Sequence, residues 1–406
     1  MISVYKYSRK KNFLLCSQVK RITILWFPII ETEADYIREI SRISWYLYPY
    51  CNNIHKIHLL MSSQLKKSLQ CFTPPSYVDP KISFFFNSLK EKIIINTNKK
   101  IVLKKRFNTV VCWENCDFLP KMTSYFHYII NASVTSDQFE ANKMAKLSEA
   151  FLSKKTILNN NMTLKKLLLK LQKTNYKKVN IFGSGPSLSQ YKKFDFQNSL
   201  SIICNSIVKN TELLKDIRPQ IIVATDSVFH SGYSKYASEF RYHLCKALDL
   251  IEEMVFLVPM RDLNIYHANL PHIYKSRILG IESSNLVQYN VDLLESPVLR
   301  STSNVLTFFL LPIAATLSKE IYLLGFDGNG TDKKNIFWNY DKESQFIKSI
   351  DYTKLAHPAF YTVDYDLYHN IHASEIKALL DKVEKKGIKV KNLVRSYIPI
   401  LDNYND

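Results

Sequence analysis

The sequence predicts an α/β protein: a doubly wound, mostly parallel sheet in the C-terminal half, preceded by a smaller α/β domain. Short runs rich in Ile, Val and Leu alternate with segments of helical periodicity, which is the pattern of parallel strands joined by crossover helices. Polar residues or glycines follow several of these runs directly, as they do where strands end at a ligand-binding edge. Of the 406 residues, 46% are hydrophobic and 22% are charged, which excludes intrinsic disorder.

The first half reads as a small parallel sheet without a recognisable motif of chemistry. Its predicted strands are residues 21–27, 57–61, 92–96, 109–113 and 128–130, and a helix is predicted from Glu33 to about Tyr48. From residue 137 to about 173 the apolar residues recur at helical spacing and the polar ones become basic. We therefore predict an N-terminal domain over residues 1–135 and a helical connector over residues 136–175.

The second half, residues 176–406, reads as the larger domain. Its predicted strands are residues 177–182, 201–204, 220–224, 254–258, 319–324 and 389–393, and its predicted helices are residues 302–317 and 373–386. The segment from about residue 328 to residue 368 is aromatic and polar, with little regular periodicity. This pattern indicates either a lid over a binding site or a surface loop without a role in binding.

The charge balance favours anionic partners. The chain has 55 Lys+Arg against 36 Asp+Glu, a formal net charge of +19. Such a surface attracts nucleic acid, anionic lipid or an acidic small substrate. Basic and aromatic residues form no regular array, so nucleic acid is not expected and contact with an anionic membrane surface is favoured over it.

The cysteines and apolar runs predict a cytoplasmic protein, peripheral at most on the inner face of the cell membrane. The 7 cysteines are odd in number and scattered, which argues against a disulfide framework. Residues 1–20 have no signal-peptide core. The run from Val305 to Leu317 contains a proline and is too short to span a bilayer.

Two glycine-rich loops follow predicted strands and hold five of the 8 glycines. The first is Gly-Ser-Gly-Pro-Ser-Leu at residues 183–188, and the second covers residues 325–330. Glycines after a strand let the backbone approach a ligand, and exposed N–H groups at such a turn favour phosphate. The alternative is a tight strand-to-helix turn that binds nothing.

Polar side chains follow other predicted strands. Asn205 and the pair Thr225-Asp226 are placed to form a nucleotide crevice, although each alone is an ordinary turn or cap residue. Residues 300–303, Arg-Ser-Thr-Ser, precede an apolar helix, where Thr302 or Ser303 is a candidate N-cap or part of an anion site.

Near the C-terminus, His369 and His372 precede the predicted helix, where they are candidate bases or merely cap residues. The neighbouring Asp364-Tyr365-Asp366 matches a short metal-binding pattern that is common by chance, so no metal or other cofactor is expected.

These motifs, in this order, resemble the bacterial sialyltransferases of glycosyltransferase family 42, over roughly residues 177–393. The family's Gly-Asn-Gly-Pro-Ser-Leu loop corresponds to residues 183–188, and its Cys-Asn strand end corresponds to Cys204-Asn205. Its Arg-x-Thr-Ser corresponds to residues 300–303, and its Lys-Glu-Ile-Tyr-Leu strand running into Gly-x-Asp corresponds to residues 319–327. Its histidine ahead of Ile-Lys-Ala-Leu is matched by His369 with a one-residue offset, or less well by His372.

Three positions differ or align loosely. Ser184 stands where the family has asparagine, and Asn304 stands where it has glycine. Of the family's paired tyrosines that hold the donor phosphate, Tyr340 is the best match, with Trp338 beside it.

The resemblance implies a Rossmann-like fold, a variant of the glycosyltransferase A type, and an inverting, metal-independent transfer. The donor would be sialic acid or a related acidic sugar activated by CMP, and the acceptor a cell-surface glycan, lipid-linked at a membrane. His369, or else His372, would be the general base, and Arg300 would hold the donor or its leaving phosphate. The residues implied to bind the nucleotide or donor are Gly183, Ser184, Gly185, Pro186, Ser187, Asn205, Thr225, Asp226, Ser301, Thr302, Ser303, Asp327, Trp338 and Tyr340.

Two alternatives stay open at this point, and the sequence leaves the oligomeric state undecided. The Gly-x-Gly-Pro-Ser-Leu loop also occurs in the pterin-pyrophosphokinase-like group, which includes flagellin glycosylation proteins; an ATP-dependent pyrophosphokinase would need Mg²⁺. A non-catalytic partner with a decayed site is the third class.

Overall fold

A computed structural model describes residues 21–68, 72–98, 107–112, 129–131, 140–174, 176–302, 304–328, 342–362 and 364–405. The chain divides into two compact units. Unit 1 comprises the described residues as far as Thr156, together with Ser227–Ala237 and Asp351–Thr362. Unit 2 comprises Ile157–Asp226, Ser238–Ile350 and Val363–Asp406. Two short segments from the second half of the sequence therefore belong to unit 1, which differs from the partition drawn at residues 135 and 175.

Unit 1 is built on a parallel sheet with the strand order β3-β2-β1-β4-β5. Its strands are β1 (Ile22–Ile30), β2 (Ile54–Met61), β3 (Ile93–Asn96), β4 (Thr109–Cys112) and β5 (Ile129–Asn131). Its α-helices are Glu33–Leu47, Ser63–Ser68, Ile82–Leu89 and Glu140–Ala150. The predicted strands of the first half are confirmed to within about three residues at each end.

The helix Glu33–Leu47 shows why its sequence begins a helix where it does. The Thr32 hydroxyl accepts the Asp35 N–H, and the Asp35 carboxylate accepts the Thr32 N–H, so two otherwise unpaired donors are satisfied at the helix start. The helix then buries Ile40, Ile43 and Trp45 among other side chains.

A network of buried charges lies in the core of unit 1. The Arg42 guanidinium is fully buried; its Nη1 lies 2.6 Å from Glu39 Oε1 and its Nε lies 2.8 Å from Glu140 Oε1. The other Glu140 oxygen lies 3.1 Å from His357 Nδ1. Burial opposes the ionisation of Glu140, but Arg42 and His357 outweigh it and hold its pKa below the ordinary value. The pairing with Arg42 and His357 lets Glu140 stay charged away from water.

Unit 2 is built on a larger parallel sheet with the strand order β11-β10-β9-β8-β7-β6-β12-β13. Its strands are β6 (Val179–Phe182), β7 (Leu200–Cys204), β8 (Ile221–Val223), β9 (Val255–Pro259), β10 (Ile278–Ser284), β11 (Val298–Arg300), β12 (Glu320–Leu324) and β13 (Lys389–Asn392). All residues of β6, β7 and β8 are buried, as expected for strands covered on both faces. The predicted fold class, α/β with a doubly wound parallel sheet, is confirmed.

The strand order reverses at one point in this sheet. From β6 the chain moves outward in one direction through β7, β8, β9, β10 and β11, then returns to place β12 on the other side of β6. In open α/β sheets, ligands bind outside the carboxyl ends of the strands at such a switch point. The fold thus directs attention to the loops that follow β6 and β12.

The helices of unit 2 correct two sequence predictions. Its α-helices, including three that begin or end in unit 1, are Lys154–Lys173, Thr211–Ile217, Lys235–Leu250, Leu263–Asn269, Leu311–Leu317, Ile350–Ala356, Tyr365–Lys385 and Pro399–Asp402. The predicted helix 302–317 is a π-helical segment, Leu306–Leu310, followed by Leu311–Leu317. Pro312 has no N–H and its ring clashes with the carbonyl four residues earlier, and the wider turn avoids both problems.

The second correction concerns the helix before β13. It begins at Tyr365 rather than at residue 373, and the Asp364 carboxylate caps it by accepting the Leu367 N–H at 3.0 Å. Residues 364–366 therefore serve as the start of a helix.

Candidate functional site

The two glycine-rich loops meet at the switch point of the unit 2 sheet. The Gly183 N–H donates to Leu324 O at 2.8 Å, and the Gly185 N–H donates to Gly325 O at 2.9 Å. A Cβ atom on Gly183 would lie 2.4 Å from Gly325 O, and one on Gly185 would lie 2.1 Å from Asp327 Oδ2. Both positions require glycine because the second loop approaches this closely.

The Asp327 carboxylate joins the loops. Its Oδ2 accepts the Ser187 hydroxyl at 2.9 Å and the Ser187 N–H at 3.2 Å. Burial raises the pKa of Asp327, and the two bonds from Ser187 oppose that rise. The expectation that this loop presents free N–H groups to a phosphate is wrong for Gly183, Gly185 and Ser187, because the end of β12 and the loop after it accept all three. Pro186 has no N–H and begins the 3₁₀ segment Pro186–Lys193.

Asn205 is the residue at this edge that departs most from ordinary geometry. It follows β7 directly and has a φ of +53°, in the left-handed region that L-residues disfavour. Its side-chain oxygen is buried and has no hydrogen-bond partner. The preceding Cys204 donates its Sγ–H to Phe182 O at 3.4 Å, which ties the end of β7 to the end of β6. Strain and an unpaired buried oxygen at one residue are typical of a functional position.

Thr225 and Asp226 follow β8, and a second polar pair, which the sequence reading missed, follows β9. The Arg261 guanidinium donates from Nη2 to Thr225 O at 2.6 Å. Arg261 and Asp262 are 7% and 2% exposed. Burial raises the pKa of the neighbouring Tyr266, and the Asp262 charge raises it further, whereas the Arg261 charge lowers it. A sequence signal was present, since Arg261-Asp262 follow the buried strand β9 after a single residue, Met260.

Arg300 lies away from the glycine loops. It ends the strand β11, which is five strand positions from β6, or about 24 Å along the sheet at 4.8 Å per strand. Its Nη1 donates to Val287 O at 3.1 Å, and its guanidinium lies 4.9 Å from the centre of the Tyr289 ring. That Arg300 holds the donor or its leaving phosphate stays a prediction.

The residues after Arg300 make local contacts. The Ser301 N–H donates to Ser284 O at 3.2 Å, and Thr302 Oγ1 accepts from the Thr307 hydroxyl at 3.0 Å. Asn304 Oδ1 accepts the Leu306 N–H at 2.8 Å at the start of the following helical segment. Ser303, Trp338 and Tyr340 lie outside the described residues, as does much of the predicted lid.

His369 and His372 lie inside the helix Tyr365–Lys385, not ahead of it. Because this helix leads into the parallel strand β13, its last turn lies at the amino end of the sheet. His369 is 16 residues before Lys385, or about 24 Å along the axis, whereas five-residue β12 spans about 17 Å. This end of the helix therefore projects past the carboxyl edge at which the glycine loops lie.

The two histidines differ in burial. His372 is 5% exposed, its Nδ1 is buried without a partner, and burial together with His369 lowers its pKa to about 4. His369 is half-buried, and burial lowers its pKa, opposed by Asp366. Both rings are neutral near pH 7, and His369 is the more accessible proton acceptor.

Two other kinds of feature, a metal cluster and a membrane-spanning helix, are absent from the described part of the chain. No three His, Cys, Asp or Glu side chains there lie close enough together to hold a metal ion. None of the helices within those ranges is both long and apolar enough to cross a membrane.

Comparison with known proteins adds little. No protein-family model matches the sequence, and no curated protein matches it. Among solved structures, the chain is similar to the crystal structure of the sialyltransferase CST-II in complex with trisaccharide acceptor and CMP. The similarity covers 56% of this chain and 85% of that chain, with 16% sequence identity and a TM-score of 0.28. At that level it carries no argument about the site, which is described above from its own geometry.

Proposed function

We propose that the chain is a glycosyltransferase that takes an acidic sugar from a CMP-activated donor. The observation that carries the proposal is the meeting of two glycine loops at the switch point, one strand away from the strained Asn205. A switch point is where open α/β sheets bind nucleotides. The order of motifs that resembles glycosyltransferase family 42 supplies the reaction class.

The side chain of Asn205 is suited to a base that presents an amino group. Its buried oxygen needs a donor. Cytosine offers one in its exocyclic amino group, next to acceptor atoms that the amide nitrogen of Asn205 satisfies. Uracil in the same position would turn its carbonyl to this oxygen and its N3–H to the amide nitrogen, so both hydrogen bonds would be lost. This argument supports CMP over a uridine nucleotide.

In the proposed reaction, an acceptor hydroxyl attacks the anomeric carbon, the bond from that carbon to the CMP phosphate oxygen breaks, and His369 takes the hydroxyl proton. General-base catalysis needs a neutral acceptor near the working pH, and the lowered pKa of His369 provides it. No step requires a metal ion. We further propose a glycan acceptor, lipid-linked at a membrane, which suits a chain of net charge +19.

Thermal unfolding with a panel of nucleotides tests the proposal. CMP at a hundred times its Kd would stabilise the protein by about 2.7 kcal/mol, a rise of several degrees in Tm, while UMP, GDP and ATP would not. A rise with ATP and Mg²⁺ but none with CMP would replace the proposal with the pyrophosphokinase alternative. Transfer from a CMP-activated acidic sugar is then measured in excess EDTA, where it should persist.

A further inference from the structure

The helix Lys154–Lys173 has two different faces in unit 2. One face packs into the protein and buries Asn160, Leu164, Leu168 and Leu171. The other exposes large apolar side chains: Leu158 is 62%, Met162 59% and Leu169 37% exposed. At 100° per residue these three side chains fall within about 40° of one another, so they form a stripe along one side of the helix, which Lys165 interrupts between Met162 and Leu169.

Lysines border this stripe. Lys165, Lys166, Lys170 and Lys173 are exposed on the same outward half of the helix, and residues 154–173 include no Asp or Glu. A hollow of about 470 Å³ is lined by Lys166, Leu169, Lys170, Lys173 and Thr174. It combines an apolar side chain with three ammonium groups, the composition that accepts the phosphate of an anionic group next to a hydrocarbon surface.

From this juxtaposition we propose that the exposed face of the helix, residues 158–173, docks the protein on an anionic lipid surface. The helix would lie parallel to the membrane, with Leu158, Met162 and Leu169 in the interfacial layer and the lysines at the lipid phosphates. A second copy of the chain is a poorer occupant because four lysines would face four others. Nucleic acid is poorer because the stripe would stay in water and no aromatic side chain in the helix can stack on a base.

This docking site is separate from the proposed nucleotide site, so each can fail without the other. Near a leaflet rich in anionic lipid, each lysine contributes about fivefold to binding. Replacing all four lysines with Gln should therefore weaken binding by about two to three orders of magnitude. Leu158→Ser with Leu169→Ser should weaken it by at least tenfold without a change in Tm, because both side chains are exposed in the folded protein.

The test is flotation of the full chain with vesicles of phosphatidylcholine alone or with about one-third phosphatidylserine added, a content that gives the leaflet a strongly negative surface. We expect binding to the anionic vesicles only, weakened by salt and lost in both variants. Two controls make the same changes in composition elsewhere. One is Leu286→Ser with Leu355→Ser, at side chains 75% and 58% exposed, and the other has Gln at Lys215, Lys348, Lys385 and Lys389.

Four results would overturn the proposal. They are no binding to anionic vesicles, equal binding to neutral ones, equal losses in the helix and control lysine variants, and a concentration-dependent dimer that Leu158→Ser abolishes. The last would assign the face to a second copy. CMP-induced stabilisation, measured on the same variants, shows whether the nucleotide site is intact.

Discussion

Asn205→Gly should make the protein more stable and a poorer nucleotide binder. Asn205 has a φ of +53° and a buried oxygen without a partner. Glycine adopts that φ without strain, which stabilises the folded state by about 1 kcal/mol. Glycine also raises the conformational entropy of the unfolded chain, which destabilises the folded state by a similar amount. The net effect on stability is therefore that of removing the unpaired buried oxygen, which should stabilise the protein by about 1–3 kcal/mol. Tm should rise by about 2–4 °C per kcal/mol.

Asn205→Ala separates the two effects. It removes the same amide but places a Cβ in the left-handed region, which costs about 1–2 kcal/mol relative to glycine. The two variants should therefore differ in stability by that amount and lose the same affinity for CMP. Loss of an amide paired to the base corresponds to about 1–3 kcal/mol, or a 5- to 150-fold higher Kd.

Asn198 provides the matched control. It also has a positive φ, 51°, but its side chain is exposed, so Asn198→Gly should change stability by less than about 0.5 kcal/mol and leave CMP binding unchanged. Stability is measured by urea unfolding, and CMP affinity by titration calorimetry. An unchanged or lower stability in Asn205→Gly would show that its oxygen finds a partner in solution, and an unchanged Kd would remove Asn205 from the site.

Three further predictions concern charges and histidines. His369→Gln should lower turnover with a CMP-activated sugar by about 10²–10⁴-fold at unchanged CMP affinity; a loss below fivefold would exclude it as the base. His372 has a pKa of about 4 in the folded protein and about 6.5 in the unfolded chain, so the unfolded chain binds more protons between these values. The free energy of unfolding should therefore fall by about 2 kcal/mol when the pH is lowered from 7 to 5. Urea unfolding of His372→Leu should lack that loss, and an undiminished slope would contradict the assignment. Arg42→Met leaves the buried Glu39 and Glu140 carboxylates without their cationic partner, and the free energy of unfolding at pH 7 should fall by about 3–5 kcal/mol. The midpoint of urea unfolding measures this loss. A loss below about 1 kcal/mol would show that the carboxylates protonate or reach water.

Much of the fold could be read from the sequence because parallel strands buried on both faces are continuous apolar runs. Every strand predicted in unit 2 is present, and the errors at their ends are small. The strands β10 and β11 were missed, since they lie in a stretch without a clear period. The start of the helix at Tyr365 was missed because its first two turns place only Leu367 and Ile371 among polar residues and histidines, and both are exposed, so no buried apolar stripe marks the start.

The candidate site could be predicted in part, from local signals. Glycines after strands and a polar residue after β7 identified the loops and Asn205. What these residues contact could not be predicted: the N–H groups of Gly183 and Gly185 donate to Leu324 O and Gly325 O, about 140 residues away in sequence. The placement of Arg300 follows from the position of β11 in the sheet, which its local sequence does not encode.

By itself the sequence determined the α/β class, most strand positions and the two glycine loops, because these depend on the apolar period and on backbone freedom within a few residues. Only the tertiary structure decided that both loops meet at one switch point, that Asn205 carries an unpaired buried oxygen, and that Arg42, Glu140 and His357 share a buried network in unit 1. Those features depend on strand order and on contacts between residues tens to hundreds of positions apart. Such contacts form only when the whole chain is packed, so no local pattern specifies them.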